Sequence, residues 1–166
     1  MKAIKLAISL VVVFWQLCSA SYAVDVLTQK NIGLDLANEL AMNAVRACRD
    51  MGYQVSAVVV DKHGNLRSAA RDDLAARFTL EIAQRKANMS IMSGTDTISF
   101  RKSRDDIRQE LNHMSGLIVM GGAVPITASG TSIGAIGVSG APGGQLDADC
   151  AMHALEKAEE RLEFAD

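Results

Sequence analysis

Residues 116–144 read GLIVMGGAVPITASGTSIGAIGVSGAPGG, and this stretch constrains the fold more than any other part of the chain. Three short apolar runs, 117–120, 123–128 and 132–138, are separated by Gly121-Gly122 and by Ser129-Gly130. Short apolar runs bounded by turn residues are what buried strands look like. Ser-Gly between the last two predicts a tight antiparallel hairpin. Six glycines fall between positions 121 and 140. Glycine at that density either serves tight turns or marks places where a ligand or another backbone comes close.

Upstream, the hydrophobic periodicity changes. From Thr28, a plausible N-cap, Ile32, Leu36, Leu40, Ala44, Cys48 and Met51 recur at spacings of four and three, predicting a long helix to Met51. Gly52 suits the left-handed position that ends it. Residues 55–60 and 66–70 read as two strands joined by the turn Asp61-Lys62-His63-Gly64-Asn65. A second helix is expected over 75–93, with Ala75, Phe78, Ile82, Ala83 and Met89 on one face. Lys86 projects from that same face. Either its ammonium reaches past the apolar surface to water, or it faces a buried anion.

Residues 94–97 break this helix, and the charge-rich segment 98–113 carries only a thin apolar stripe, Ile107, Leu111 and Met114. A short surface helix or lid is expected there, its mixed charges a solvated face. A last helix is expected from about 146 into 162, with Cys150, Ala151, Ala154, Leu155, Ala158 and Leu162 inward. Asp147 and Asp149 sit in its first turn, where negative charge suits the helix dipole. The order implies an α/β fold of the α+β type, one five-stranded antiparallel sheet flanked by helices.

The first 23 residues stand outside that domain. Lys2 and Lys5 precede an apolar run from 6 to 17, and Ser21-Tyr22-Ala23 supplies small residues for cleavage after Ala23. This is the pattern of a secretory signal peptide, too short for a spanning helix. A periplasmic or secreted protein without a membrane anchor is expected, with a single domain over 24–166. Cys48 and Cys150 then remain, and an oxidising compartment permits a disulfide between them if their helices pack antiparallel. A net charge of −2 and an aromatic content of 4% give no footprint for nucleic acid.

No constellation of catalytic groups emerges from the spacing. His63, His113 and His153 are dispersed, and no nucleophile elbow, phosphate loop or metal-ligand pattern is present. Gly134-Ala-Ile-Gly137 lies within a strand and cannot cradle a phosphate at a helix start.

The motifs VVVDKHGNL, AARDD, EIAQRKA, MGGAVPI and SIGAIGVSGAPGGQLDADCA together resemble the GlcG/HbpS family, whose relatives include the C-terminal domain of PduO-type cobalamin adenosyltransferases. The resemblance covers nearly all of the chain after residue 23. It implies a profilin-like fold, a homo-oligomer and haem as a ligand, with haem degradation attached to the family as a label. The helix break of the family ends in Pro-Thr, where this chain has Asp96-Thr97. Thr97 thereby matches a residue expected to reach haem iron or line its pocket, while Lys86 and Arg71 would meet carboxylates. His113 and Met114 are the more conventional ligand types nearby. The resemblance implies an exported haem carrier or sensor; a binder or enzyme of hydroxy acids or related metabolites, and an assembly module without ligand, are the alternatives.

Overall fold

In the computed structural model, which describes residues 27–165, the sheet is built from two antiparallel hairpins. The elements are α1 Leu34–Asp50, β1 Ser56–Asp61, β2 Leu66–Arg71, α2 Phe78–Ser93, α3 Thr97–Ser103, a 3-10 turn at Asp105–Ile107, α4 Arg108–His113, β3 Ala123–Ala128, β4 Thr131–Ser139, α5 Gly144–Glu156 and α6 Glu159–Glu163. Strand order is β2-β1-β4-β3, every pair antiparallel. The leader read at residues 1–23 lies outside the described residues. Among those residues no helix is long and apolar enough to cross a membrane.

Strand β1 is buried along its whole length because helices cover both faces of the sheet. Ala57 and Val59 point to a large core shared with Leu40, Ala44 and Val45 of α1 and Ala151 and Ala154 of α5. Val58 and Val60 point the other way, onto Ala83 and Ala87 of α2. This alternation is the period-two pattern of a strand whose two faces are both packed. The small residues set the spacing. A Cβ built at Gly137 of β4 would stand 2.1 Å from the Ala83 carbonyl, so α2 lies directly on the backbone of the sheet.

Among the described residues the sheet has four strands rather than five. Residues 117–120 are not paired into it: the Val119 N–H donates to Asn112 Oδ1 at 2.7 Å, and Val119 packs with Met89, Phe100 and Leu111. That apolar run therefore closes a small core under α3 and α4. Apolar content alone did not separate this role from a strand.

The ends of the helices also differ from the sequence reading. Helix α1 starts at Leu34 after Gly33, not after Thr28. The Ile32 N–H donates to the Ile133 carbonyl at 3.1 Å and its side chain is buried, which holds the chain at Ile32 against the sheet instead. Helix α2 starts at Phe78, which is exposed, because residues 72–77 form a turn in which Arg71 Nη1 donates to the Ala75 carbonyl. The last helix breaks at Lys157 and Ala158, dividing it into α5 and α6.

Cys48 of α1 and Cys150 of α5 are joined by a disulfide, their Cα atoms 5.4 Å apart. Beside it, the Arg49 guanidinium pairs with the buried carboxylate of Asp72, tying the end of α1 to the end of β2.

Candidate functional site

Because α2 lies against Gly137, Lys86, one turn beyond Ala83, is carried under the end of β4. It is 1% exposed. Its ammonium donates to the Val138 carbonyl at 2.9 Å and to Asp147 Oδ2 at 2.7 Å. The sequence left open whether Lys86 reaches water or meets a buried anion; it meets an anion, and the anion is this chain's own Asp147. Asp147 sits in the first turn of α5, and its other oxygen accepts from the Ala141 N–H at 3.0 Å. One carboxylate thus fixes both the lysine and the loop leading into α5.

Gly122 makes room for this pair. Its φ of +120° belongs to the region that disfavours side chains, and a Cβ there would meet Lys86 Nζ and Asp147 Cβ, each at 2.7 Å. Burial holds the Lys86 ammonium below the usual amine range and the Asp147 carboxyl above the usual carboxylate range; their mutual attraction opposes both shifts.

Lys86 and Asp147 form the floor of a cleft of about 650 Å³ between α3, the 3-10 turn and the loop into α5. Arg101 and Lys102, in the last turn of α3, and Arg108, at the start of α4, line it, against Asp105. Ile98, Met120 and Pro142 supply apolar wall. The cleft therefore combines a cationic rim, an apolar wall and a buried ion pair. That donor set suits an anionic ligand with an apolar body.

The other sequence-derived candidates fall outside this arrangement. Thr97 is fully buried at the start of α3, below Asp96, which caps the helix through the Ile98 and Ser99 N–H groups. The Thr97 hydroxyl accepts from the Ala123 N–H at 3.0 Å and donates to the Ala123 carbonyl at 3.3 Å, joining α3 to β3. Arg71 lies on edge strand β2, two strands from β4, and holds the turn after it. His113 and Met114 are exposed at the end of α4 and do not line the cleft. Of the proposed set, only Lys86 is in the cleft wall.

Sequence reasoning missed Arg101, Lys102, Arg108, Met120 and Asp147. Its only trace of them was the density of basic residues after Thr97 and the acidic first turn of the last helix. Among the described residues no group of three or more His, Cys, Asp or Glu side chains is placed to hold a metal ion.

A family model described as "Haem degrading protein HbpS-like" matches residues 32–156, which span the sheet, the cleft and the disulfide. The chain belongs to this family. The crystal structure of HbpS is 30% identical and superposes with a TM-score of 0.73, covering 83% of this chain and 97% of that one. Two more distant structures share the fold. Klebsiella pneumoniae protein ORFY is 24% identical with a TM-score of 0.75, covering 82% of this chain and 96% of that one. A PduOC complex with haem is 23% identical with a TM-score of 0.65, covering 76% and 94%. No match is found among curated proteins. The HbpS-like fold is thus an antiparallel sheet between helical layers, as built above from the residues.

Proposed function

We propose that this protein is an exported haem-binding protein with a carrier or sensor role, acting as a homo-oligomer, and that haem occupies the cleft over Lys86 and Asp147. The observation that carries this reading is a cleft in an HbpS-like fold whose cationic rim, Arg101, Lys102 and Arg108, faces the apolar wall of Ile98, Met120 and Pro142. Of its structural relatives, one is a PduOC–haem complex.

The residues present fit the group. Arg101, Lys102 and Arg108 would hold its two carboxylates, and charge-assisted hydrogen bonds of this kind are the strong ones. Ile98 and Pro142 would cover part of the macrocycle. Met120, whose thioether is a soft donor, is the cleft's conventional type of iron ligand. Thr97 is not assigned a ligand role, because its hydroxyl is occupied with the main chain of Ala123. Bound haem would supply a redox-active iron; the chain's own groups would hold its carboxylates and cover part of its apolar faces.

Export rests on the leader pattern at residues 1–23, and periplasmic fractionation of the expressed full chain tests it. For haem, the purified protein should give a saturable Soret band when titrated with haemin. A linear response indistinguishable from haemin in buffer refutes the reading.

A further inference from the structure

Lys86 and Asp147 are more than this cleft needs in order to hold a haem. Cations for an anionic ligand are already present on the rim. A fully buried ion pair contributes little net stability, since well-packed apolar residues of the same volume serve as well or better. Here the pair lies at the bottom of the cleft with both partners in its wall, and it is less than 5% exposed at either side chain. Lysines and carboxyls whose charged forms are disfavoured by burial, next to each other in a cleft, are the arrangement from which amine nucleophiles are made.

We propose that Lys86 is a nucleophile that forms an imine with small 2-oxo acids, the carboxylate of the ligand lying toward Arg101, Lys102 and Arg108 and its carbonyl toward the floor. Asp147 Oδ2, 2.7 Å from Nζ, is placed to move the protons. It takes one proton from the ammonium, leaving a neutral amine. The nitrogen lone pair forms a bond to the carbonyl carbon, the C=O π pair moves onto oxygen, and Asp147 returns its proton there. The nitrogen of the resulting carbinolamine gives a second proton to Asp147. That proton passes to the hydroxyl, which leaves as water while the nitrogen lone pair closes the C=N bond. The balance is one ammonium and one carbonyl in, one protonated imine and one water out. No other reactant is needed. The Val138 carbonyl, 2.9 Å from Nζ, orients the amine through the exchange. The burial that disfavours both charges lowers the cost of the first transfer.

This inference does not rest on haem, and its test contains none. The folded protein is incubated with pyruvate and cyanoborohydride, then digested and mapped by mass spectrometry. A reduced pyruvyl adduct at Lys86 at least tenfold above that at exposed Lys30 and Lys157, which lie outside the cleft, is expected, and this enrichment should vanish in urea. Arg101→Ala with Arg108→Ala should lower labelling by pyruvate severalfold more than it lowers labelling by uncharged hydroxyacetone. Adducts confined to exposed lysines, with Lys86 unmodified in the folded protein, overturn the proposal. So does equal labelling of Lys86 in the folded and unfolded chain. Because the decisive comparison uses the unaltered protein, a fold-damaging substitution at Lys86 or Asp147 does not obscure it.

Discussion

Lys86 on α2 and Asp147 on α5 are 61 residues apart in sequence and meet at 2.7 Å beneath the loop that opens β3. The pair links helices on opposite faces of the sheet around the end of β4. Lys86→Met leaves the Asp147 carboxylate buried without its cation, and such losses cost about 3–5 kcal/mol. The double variant Lys86→Met/Asp147→Leu should recover most of that. Urea denaturation of the three proteins gives the comparison; a single variant as stable as the parent would show that the pair is not buried as described.

Gly122→Ala places a Cβ among Lys86 Nζ, Asp147 Cβ and the Val138 carbonyl, at a φ of +120°. Strain and overpacking together should destabilise the protein by about 3 kcal/mol. Gly52→Ala, at a φ of +84° with nothing within 4 Å of the added Cβ, is the control for strain without overpacking and should cost less.

The Cys48–Cys150 disulfide closes a span of 102 residues. A cross-link over a loop of that length restricts the unfolded chain by about 4.7 kcal/mol in the chain-entropy relation. Reductant should lower the urea midpoint accordingly, and Cys48→Ala/Cys150→Ala should behave as the reduced protein does. An unchanged midpoint under full reduction, verified by thiol titration, contradicts this.

The hairpin of β3 and β4 was legible because its turn is local chemistry: Ser129 at φ +46° and Gly130 at φ +74° form the positive-φ pair that such turns use. Lys86 was visibly out of place on an apolar helix face. Its partner was not visible, since an aspartate in a first helical turn has a sufficient local reason to be there. Nor did the sequence distinguish Arg101, Lys102 and Arg108 from a solvated face, because their significance comes from the loop into α5 packing opposite. Thr28 was a reasonable cap in isolation; the hydrogen bond from Ile32 to Ile133 decides where α1 begins. The fifth strand failed for a similar reason, with Asn112 taking the N–H that a neighbouring strand would need.

Asp72 gives a pH dependence with a definite sign. Its hydrogen bond with Arg49 holds the carboxyl below its ordinary value of 3.8. A depressed folded value contributes stability above the unfolded value and loses it as pH falls through the folded one. Stability should therefore fall on acidification below about pH 4, with a shallower slope in Asp72→Asn. Urea midpoints between pH 7 and pH 3 measure the difference; parallel profiles would show that the Arg49–Asp72 contact has no effect on protonation.

The cleft as a haem site is tested most directly by haemin titration of the parent protein, the Arg101→Ala/Arg108→Ala variant and an Arg71→Ala control. Saturable binding by the parent is expected, weakened about tenfold or more when the rim cations are removed and unchanged when Arg71 is. Haemin affinity that is absent in the parent, or indifferent to Arg101 and Arg108, contradicts the account.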